Sequence, residues 1–405
     1  MKRLTYGLFA SSLLLIGCDS QQSNNDDQVV HQLNNETEEI VMDSEDVGET
    51  VDKIIEESDE EQEVTKNDNE LTQWFPKHKD TRIIYETQAA INTFYEVYPQ
   101  FVRDNYMQLK RANTDGGEVS YELYEFTDTE IIYAGQYLNP ASSVGKIFRD
   151  DFKNTAKTLD EEVNQVILKT PIEVGNRWEH NHEHLEIYSE ITDTGFFFET
   201  PLGKVEGIEV TTTTVNNEPP YEGKSQTYRY FGKDVGIVKE TSLMGPGGPE
   251  IPTKLIGFEQ DVPEEIPITI YALGMDKRSH NKKNSKLFLN TNDPMRMALE
   301  DALKETLSND MHHLLTENVI INYMYIDNQD IVHVDLSKEF SDDMIAARDQ
   351  ESATLYGVIR TVLQLYNAKA VNLTVEGDSF QSSHIHIPKN KIIYPEDIPE
   401  FIQIN

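Results

Sequence analysis

Read for periodicity, the chain falls into four stretches. Leu4 to Ile16 is an apolar run of about a dozen residues behind the basic start Met1-Lys2-Arg3, too short to cross a bilayer as a permanent helix. From Asp19 to about Glu70 the apolar residues are scattered, as in Ile40-Val41-Met42 and Ile54-Ile55, with no aromatic residue and no period. That stretch predicts a disordered tether. From Trp74 to about Asp261 aromatic and β-branched residues are cut at short intervals by Gly, Pro and Asn, which predicts antiparallel β structure. Glu118 to Tyr124 alternates, and so does Glu130 to Tyr133 after the turn-like Thr127-Asp128-Thr129. Val166-Ile167-Leu168 leads to a corner at Thr170-Pro171, and Trp178 to Ile191 reads as one long strand. Val205 to Thr214, Tyr228 to Gly232 and Gly236 to Lys239 read as further strands, and Thr87 to Tyr98, before Pro99, is the best helix candidate here.

Beyond the proline-bearing boundary Val262 to Pro267 the rhythm changes. Ile268 to Leu273 and Leu287 to Leu289 read as strands around the polar stretch Asp276 to Lys286. Asp293 is positioned to cap a helix that holds Pro294 in its first turn, with Leu299, Ala302, Leu303 and Leu307 as one apolar stripe. Val319 to Ile326 and Ile331 to Ser337 flank the turn Asp327-Asn328-Gln329-Asp330 and predict a hairpin. Leu355, Val358, Ile359, Val362, Leu363 and Tyr366 give a helix from about Gln350 to Asn367 one buried face, and Val371, Leu373 and Val375 alternate in a strand after it. The predicted fold class is α+β: an N-terminal antiparallel β-rich domain, then a C-terminal α+β domain with two helices packed on one sheet face.

Composition sharpens this division. Cys18 is the sole cysteine in 405 residues, so an intramolecular disulfide and a cysteine-based zinc cluster are excluded. Residues 19–70 hold nineteen Asp and Glu against two Lys, and about fifty residues of flexible coil span about 40 Å r.m.s.. The net charge of −37 is only about half accounted for by that stretch, so the remainder is acidic as well. Such a charge balance makes nucleic acid an unsuitable partner.

The apolar run ends in Leu15-Ile16-Gly17-Cys18, which resembles the lipobox of bacterial lipoproteins. The resemblance implies cleavage before Cys18, a lipid on its sulfur, and a place on the outer face of the cytoplasmic membrane. Thr170 to Trp178, Thr200 to Val205 and Tyr230 to Lys239 resemble a β-rich domain of Gram-positive envelope lipoproteins. Val334 to Phe340, Tyr356 to Leu363 and Ala370 to Gly377 resemble, in order and spacing, the sporulation and spore germination domain called GerMN. The implied layout is a signal peptide at 1–17, an acidic tether at 18–73, a β-rich domain at 74–262 and a GerMN-like domain at 263–405. Family members are envelope proteins thought to act by binding or assembly, so the resemblance implies no catalytic residue.

Candidate chemistry is sparse. In His180-Asn181-His182-Glu183-His184 a strand would set three imidazoles on one face about 7 Å apart, a spacing at which two can share a divalent cation. The same residues read more simply as surface histidines, and no zinc-protease spacing follows them. His384-Ile385-His386 raises the same question, and His312-His313 reads as a helix end. Met244 to Pro249 lacks the Lys-Ser or Lys-Thr and the helix that a phosphate cradle needs, and reads as a hairpin loop. No Gly-x-Ser-x-Gly elbow is present. Asp335, at a strand end, is suited to accept local backbone hydrogen bonds, and Thr361 to bond back along its helix. The expectation is a membrane-tethered, non-enzymatic binding or scaffold protein without a cofactor. Its partners would be an envelope protein or cell-wall polymer, with self-association through the sheet edge by analogy. The alternative is a cation-binding lipoprotein built on the histidine strand.

Overall fold

A computed structural model describes residues 70–114, 119–139, 159, 161–219, 222–243, 248–275, 280–305, 311–344 and 348–399. The apolar run, Cys18, nearly all of the acidic stretch, residues 244–247 of the glycine-rich loop and Leu307 lie outside them. A short helix α1 (Glu70–Trp74) precedes twelve strands: β1 (Arg82–Thr87), β2 (Thr93–Val102), β3 (Tyr106–Asn113), β4 (Val119–Phe126), β5 (Glu130–Asn139), β6 (Glu161–Lys169), β7 (Arg177–His182), β8 (Leu185–Thr200), β9 (Gly203–Asn216), β10 (Gly223–Gly232), β11 (Gly236–Leu243) and β12 (Glu250–Glu259). They form one sheet in the order β6-β5-β4-β3-β2-β1-β12-β11-β10-β9-β8-β7. The chain therefore steps outward through six strands, crosses to the far end, and steps back until β12 pairs antiparallel with β1.

The crossing is short because the sheet curls. Trp178 Nε1 of β7 donates to Val166 O of β6 at 2.9 Å, and Asn176 Nδ2 donates to Lys169 O at 2.9 Å, so the two outermost strands are stitched together. Bulges at Ile84/Tyr85, Pro99/Phe101 and Leu123/Tyr124 add curvature. Helix α1 contributes Leu71 and Trp74, followed by Phe75, to a core with Tyr124, Ile191 and Phe231.

Two sequence expectations fail in this sheet. Thr87 to Tyr98 is not a helix: Thr87 ends β1, and from Thr93 the chain is strand. Tyr95 lies opposite Tyr85 with rings stacked at 5.0 Å, and Val97 lies opposite Ile83. Trp178 to Ile191 is two strands. Glu183 takes a left-handed backbone (φ 52°), and the hairpin closes on the pair His182 and Leu185.

The C-terminal part holds a ribbon of β13 (Glu264–Leu273) and β14 (His280–Leu289), helix α2 (Met295–Lys304), hairpin strands β15 (Ile321–Ile326) and β16 (Ile331–Leu336), the turn-length helix α3 (Glu339–Asp342) and the long helix α4 (Arg348–Tyr366). Strand β17 (Ala370–Val375) follows, then the short pairs β18 (Phe380–Gln381) and β19 (His386–Ile387), and β20 (Ile392–Ile393). The sheet order is β15-β16-β17-β20, with β16 and β17 parallel. The expected single sheet is thus corrected, because β13 and β14 pair only with each other. Helix α4 buries Leu355, Val358, Ile359 and Val362 in one core with Ile266 and Ile270 of the ribbon and Val334 and Leu373 of the sheet. Gly357 permits the approach, since a Cβ there would sit 2.5 Å from Tyr271 O. Asp293 does not cap α2. Pro294 holds the cap position without a side-chain bond, and Asp293 Oδ2 instead accepts from Asn290 N at 2.8 Å.

The described residues all belong to one compact unit, and polar contacts cross the boundary predicted near residue 263. Glu264, 5% exposed, receives Lys110 Nζ at 2.7 Å and Gln100 Nε2 at 3.2 Å. Thr291 Oγ1 donates to Pro99 O at 2.8 Å, and Asn292 Oδ1 accepts from Val102 N at 2.8 Å, both at the bulge in β2. Tyr121 and Tyr137 of the large sheet pack into the C-terminal core.

Candidate functional site

Strand alternation sends Leu109 and Arg111 of β3, Glu122 and Tyr124 of β4, Arg229 and Phe231 of β10, and Val238 and Glu240 of β11 to the inside of the curl. Here Leu109, Arg111, Glu122, Tyr124, Arg229 and Glu240 meet around a cavity of about 80 Å³, also lined by Ile83, Val97 and Met107, while Phe231 and Val238 belong to the surrounding core. That is room for two or three waters at roughly 30 Å³ each. Arg229 Nε and Nη2 both reach Glu240 Oε2, at 2.8 and 2.7 Å. Arg111 lies 3.8 Å from Glu122 and over the Tyr95 ring at 3.8 Å, and the Tyr124 hydroxyl donates to Glu122 Oε2 at 2.8 Å.

Two guanidiniums and two carboxylates balance in charge. Desolvation opposes the charge on both arginines, but Tyr95 and Glu122 around Arg111, and Glu240 beside Arg229, outweigh it and hold their pKa values above the ordinary range. Burial pushes the Tyr95 phenol up to about 12, and burial with the Glu122 charge pushes Tyr124 well up. At the rim burial holds the His78 imidazole below its ordinary value, while its Nε2 lies 3.2 Å from Val235 O. The phenols therefore stay protonated as hydrogen-bond donors. This is a matched polar network in an apolar wall, without an activated nucleophile.

Of the residues singled out from sequence, His180 and His182 share a face of β7 with rings stacked at 6.3 Å. His184 has left that face: it lies in the β7–β8 turn, 3.4 Å from Glu218 and 3.8 Å from Glu183. Among the described residues no group of three or more His, Cys, Asp or Glu is disposed to hold a metal ion. His312 and His313 do not end a helix; Met311 bridges to Gly274, and His312 N donates to Leu273 O at 2.9 Å. His384 is anchored instead: Glu351, 1% exposed, accepts from His384 N, faces His384 Nδ1 at 3.1 Å and receives Ser382 Oγ at 2.8 Å. The Ser382 hydroxyl is thus held by the carboxylate.

The motif residues of the C-terminal part are likewise engaged in structure. Asp335, 3% exposed, accepts from Thr374 Oγ1 at 2.5 Å, Gly377 N at 2.8 Å and Asn322 Nδ2 at 2.8 Å. It thereby fixes the turn in which Glu376 (φ 51°) and Gly377 (φ 69°) take left-handed backbone. Thr361 does not bond back along its helix in the way expected; its Oγ1 accepts from Tyr271 N of β13 at 3.2 Å. Residues 269–380 match the family Germane, sporulation and spore germination. This GerMN domain takes in all three motif blocks quoted above. Among solved structures, the tandem GerMN domains of the sporulation protein GerM from Bacillus subtilis are 14% identical, with a TM-score of 0.24, over 34% of this chain and 48% of that one. A "Putative Lipoprotein from Clostridium perfringens" is 20% identical, with a TM-score of 0.23, over 34% of this chain and 92% of that one. No curated protein matches the chain.

The Arg111, Glu122, Arg229 and Glu240 network escaped the sequence reading. Its one signal is a charged residue in an inward slot of an otherwise apolar alternation, repeated on two hairpins.

Proposed function

We propose that the chain is a lipid-anchored protein of the outer face of the cytoplasmic membrane that acts by binding, as a non-enzymatic scaffold of the cell envelope in sporulation or germination. The observation that carries this reading is the match of residues 269–380 to a sporulation and germination family, in which the motif residues Asp335 and Thr361 are spent on holding the fold. Leu15-Ile16-Gly17-Cys18 supports the anchor. Among the described residues no helix is long and apolar enough to cross a membrane. Two acyl chains at about 0.8 kcal/mol per buried methylene would secure the chain to the bilayer.

The test has two arms. Mass analysis of the native polypeptide should find it cut before Cys18 and acylated there, and crosslinking in intact cells should capture an envelope protein or wall polymer. An unmodified thiol with an intact first methionine refutes the anchor, and the absence of any specific crosslink in sporulating and germinating cells refutes the scaffold.

A further inference from the structure

The outer face of β7 to β10 carries a site that none of the motifs above explains. Register lines up Glu179, Tyr188, Thr213 and Gln226 as one row across four strands, which at about 4.8 Å per strand spans roughly 14 Å. Two adjoining hollows, about 540 and 400 Å³, flank that row and share Glu179 and Tyr188 in their walls. Tyr188 is 45% exposed, and its hydroxyl is tied to Glu186 Oε2 at 2.9 Å, which steadies the ring at the centre of the groove.

The lining has a definite chemistry. Glu179, Glu183, Glu186 and Glu190 line the two hollows with one guanidinium, Arg177, already paired with Glu190 at 2.9 Å, and one imidazole, His184. Phosphate and carboxylate polymers are repelled by such a wall. Asn217 Nδ2 donates to Glu186 Oε1 at 2.9 Å and Gln226 Nε2 to Thr213 Oγ1 at 3.3 Å, and each amide, with Asn181, has further donor and acceptor positions for a ligand, while the exposed tyrosine offers an apolar surface. Polyols need this combination: many hydroxyls to bond, one apolar ring face to cover, and no charge to neutralise.

We propose that this groove binds a neutral polysaccharide chain laid across β7 to β10. The inference rests on the scaffold reading for its setting, the cell envelope, and it names the class of partner. The test titrates the full-length protein calorimetrically with two neutral probes, tetra-N-acetylchitotetraose and cellotetraose. Saturable binding of either is expected, weakened about tenfold by Tyr188→Ala and weakened also by Glu179→Gln, with the unfolding midpoint unchanged because both side chains are exposed. Absence of binding of both probes at millimolar concentration overturns the proposal, as does equal affinity in wild type and both variants, or tighter binding of polyphosphate. Should crosslinking in cells capture an envelope protein while neither tetramer binds, the scaffold reading stands and the groove falls. Should a tetramer bind with the expected loss in both variants while Cys18 proves unmodified, the groove stands and the anchor falls.

Discussion

Asp335→Ala is the sharpest probe of how the GerMN domain is held. The substitution removes the acceptor for three donors that differ in exposure. Thr374, 3% exposed, loses its 2.5 Å bond and retains the longer approach of the Tyr323 hydroxyl at 3.4 Å, a cost of about 1–3 kcal/mol. The Gly377 amide is half-buried and loses a charge-assisted bond at 2.8 Å, about 1–2 kcal/mol. Asn322 is exposed and resolvates at little cost. The expected loss is about 2–5 kcal/mol, a large part of the roughly 5–15 kcal/mol of an ordinary domain. Asp335→Asn keeps one acceptor oxygen and should cost about half as much. Urea unfolding followed by fluorescence reads the loss, and hydrogen exchange at the Gly377 amide reads it locally, because the left-handed turn at Glu376 and Gly377 opens first. An alanine variant within about 0.5 kcal/mol of wild type, with Gly377 still protected, would refute the reasoning.

Three further outcomes follow from the packing. Glu240→Ala leaves Arg229, whose side chain is 7% exposed, without its carboxylate and should cost about 3–5 kcal/mol in thermal unfolding, whereas the double change Arg229→Met with Glu240→Leu should recover most of it. Gly357→Ala drives a Cβ to 2.5 Å from Tyr271 O and 2.9 Å from Leu314 Cδ2, so the unfolding midpoint should fall by the equivalent of about 1–3 kcal/mol, and an unchanged midpoint would show that α4 does not rest on β13. Desolvation raises the Glu351 pKa, but hydrogen bonds from Ser382 and His384 outweigh it, and the net shift is downward. Its contribution is therefore complete above the unfolded value of about 4.3 and drains as the pH falls through the lower folded value, so Glu351→Gln should flatten the acid limb of a stability profile measured between about pH 5 and pH 2.

Sequence periodicity was legible where one face of a strand meets water and the other meets the core. In β8 burial alternates through Ile187, Tyr188, Ser189, Glu190 and Ile191, and the prediction of strand there holds, whereas Gly195 to Thr200, which reads as a turn into the next strand, continues β8 instead. It was illegible in β2, whose last six residues, Val97 to Val102, are all buried. Their second face lies under the C-terminal part, where Tyr98 and Gln100 are buried, and the helix that the sequence predicts over Thr87 to Tyr98 overlaps this stretch at Val97 and Tyr98. The hairpin at Glu183 was missed for another reason: alternation runs unbroken through a two-residue turn that contains neither Gly nor Pro. In the GerMN domain Leu355, Val358, Ile359 and Val362 fixed the buried face of α4 from spacing alone. Spacing could not say that this face serves two separate sheets. The cavity network was hidden because Arg111 and Glu122, like Arg229 and Glu240, sit on opposite arms of hairpins that converge only after the sheet has curled.

The junction at Glu264 connects these observations. Gln100 and Gln108 are fully buried polar side chains in a β strand, an arrangement that costs free energy unless each group is paired. They are paired with one another at 3.2 Å, and Gln100 reaches Glu264, which also takes the charge of Lys110. A polar seam of this kind tolerates one geometry, because sliding the C-terminal part by one residue along β2 would strand a carboxylate and two amides together. Matching polar groups on both sides thus makes the large sheet and the GerMN domain one body.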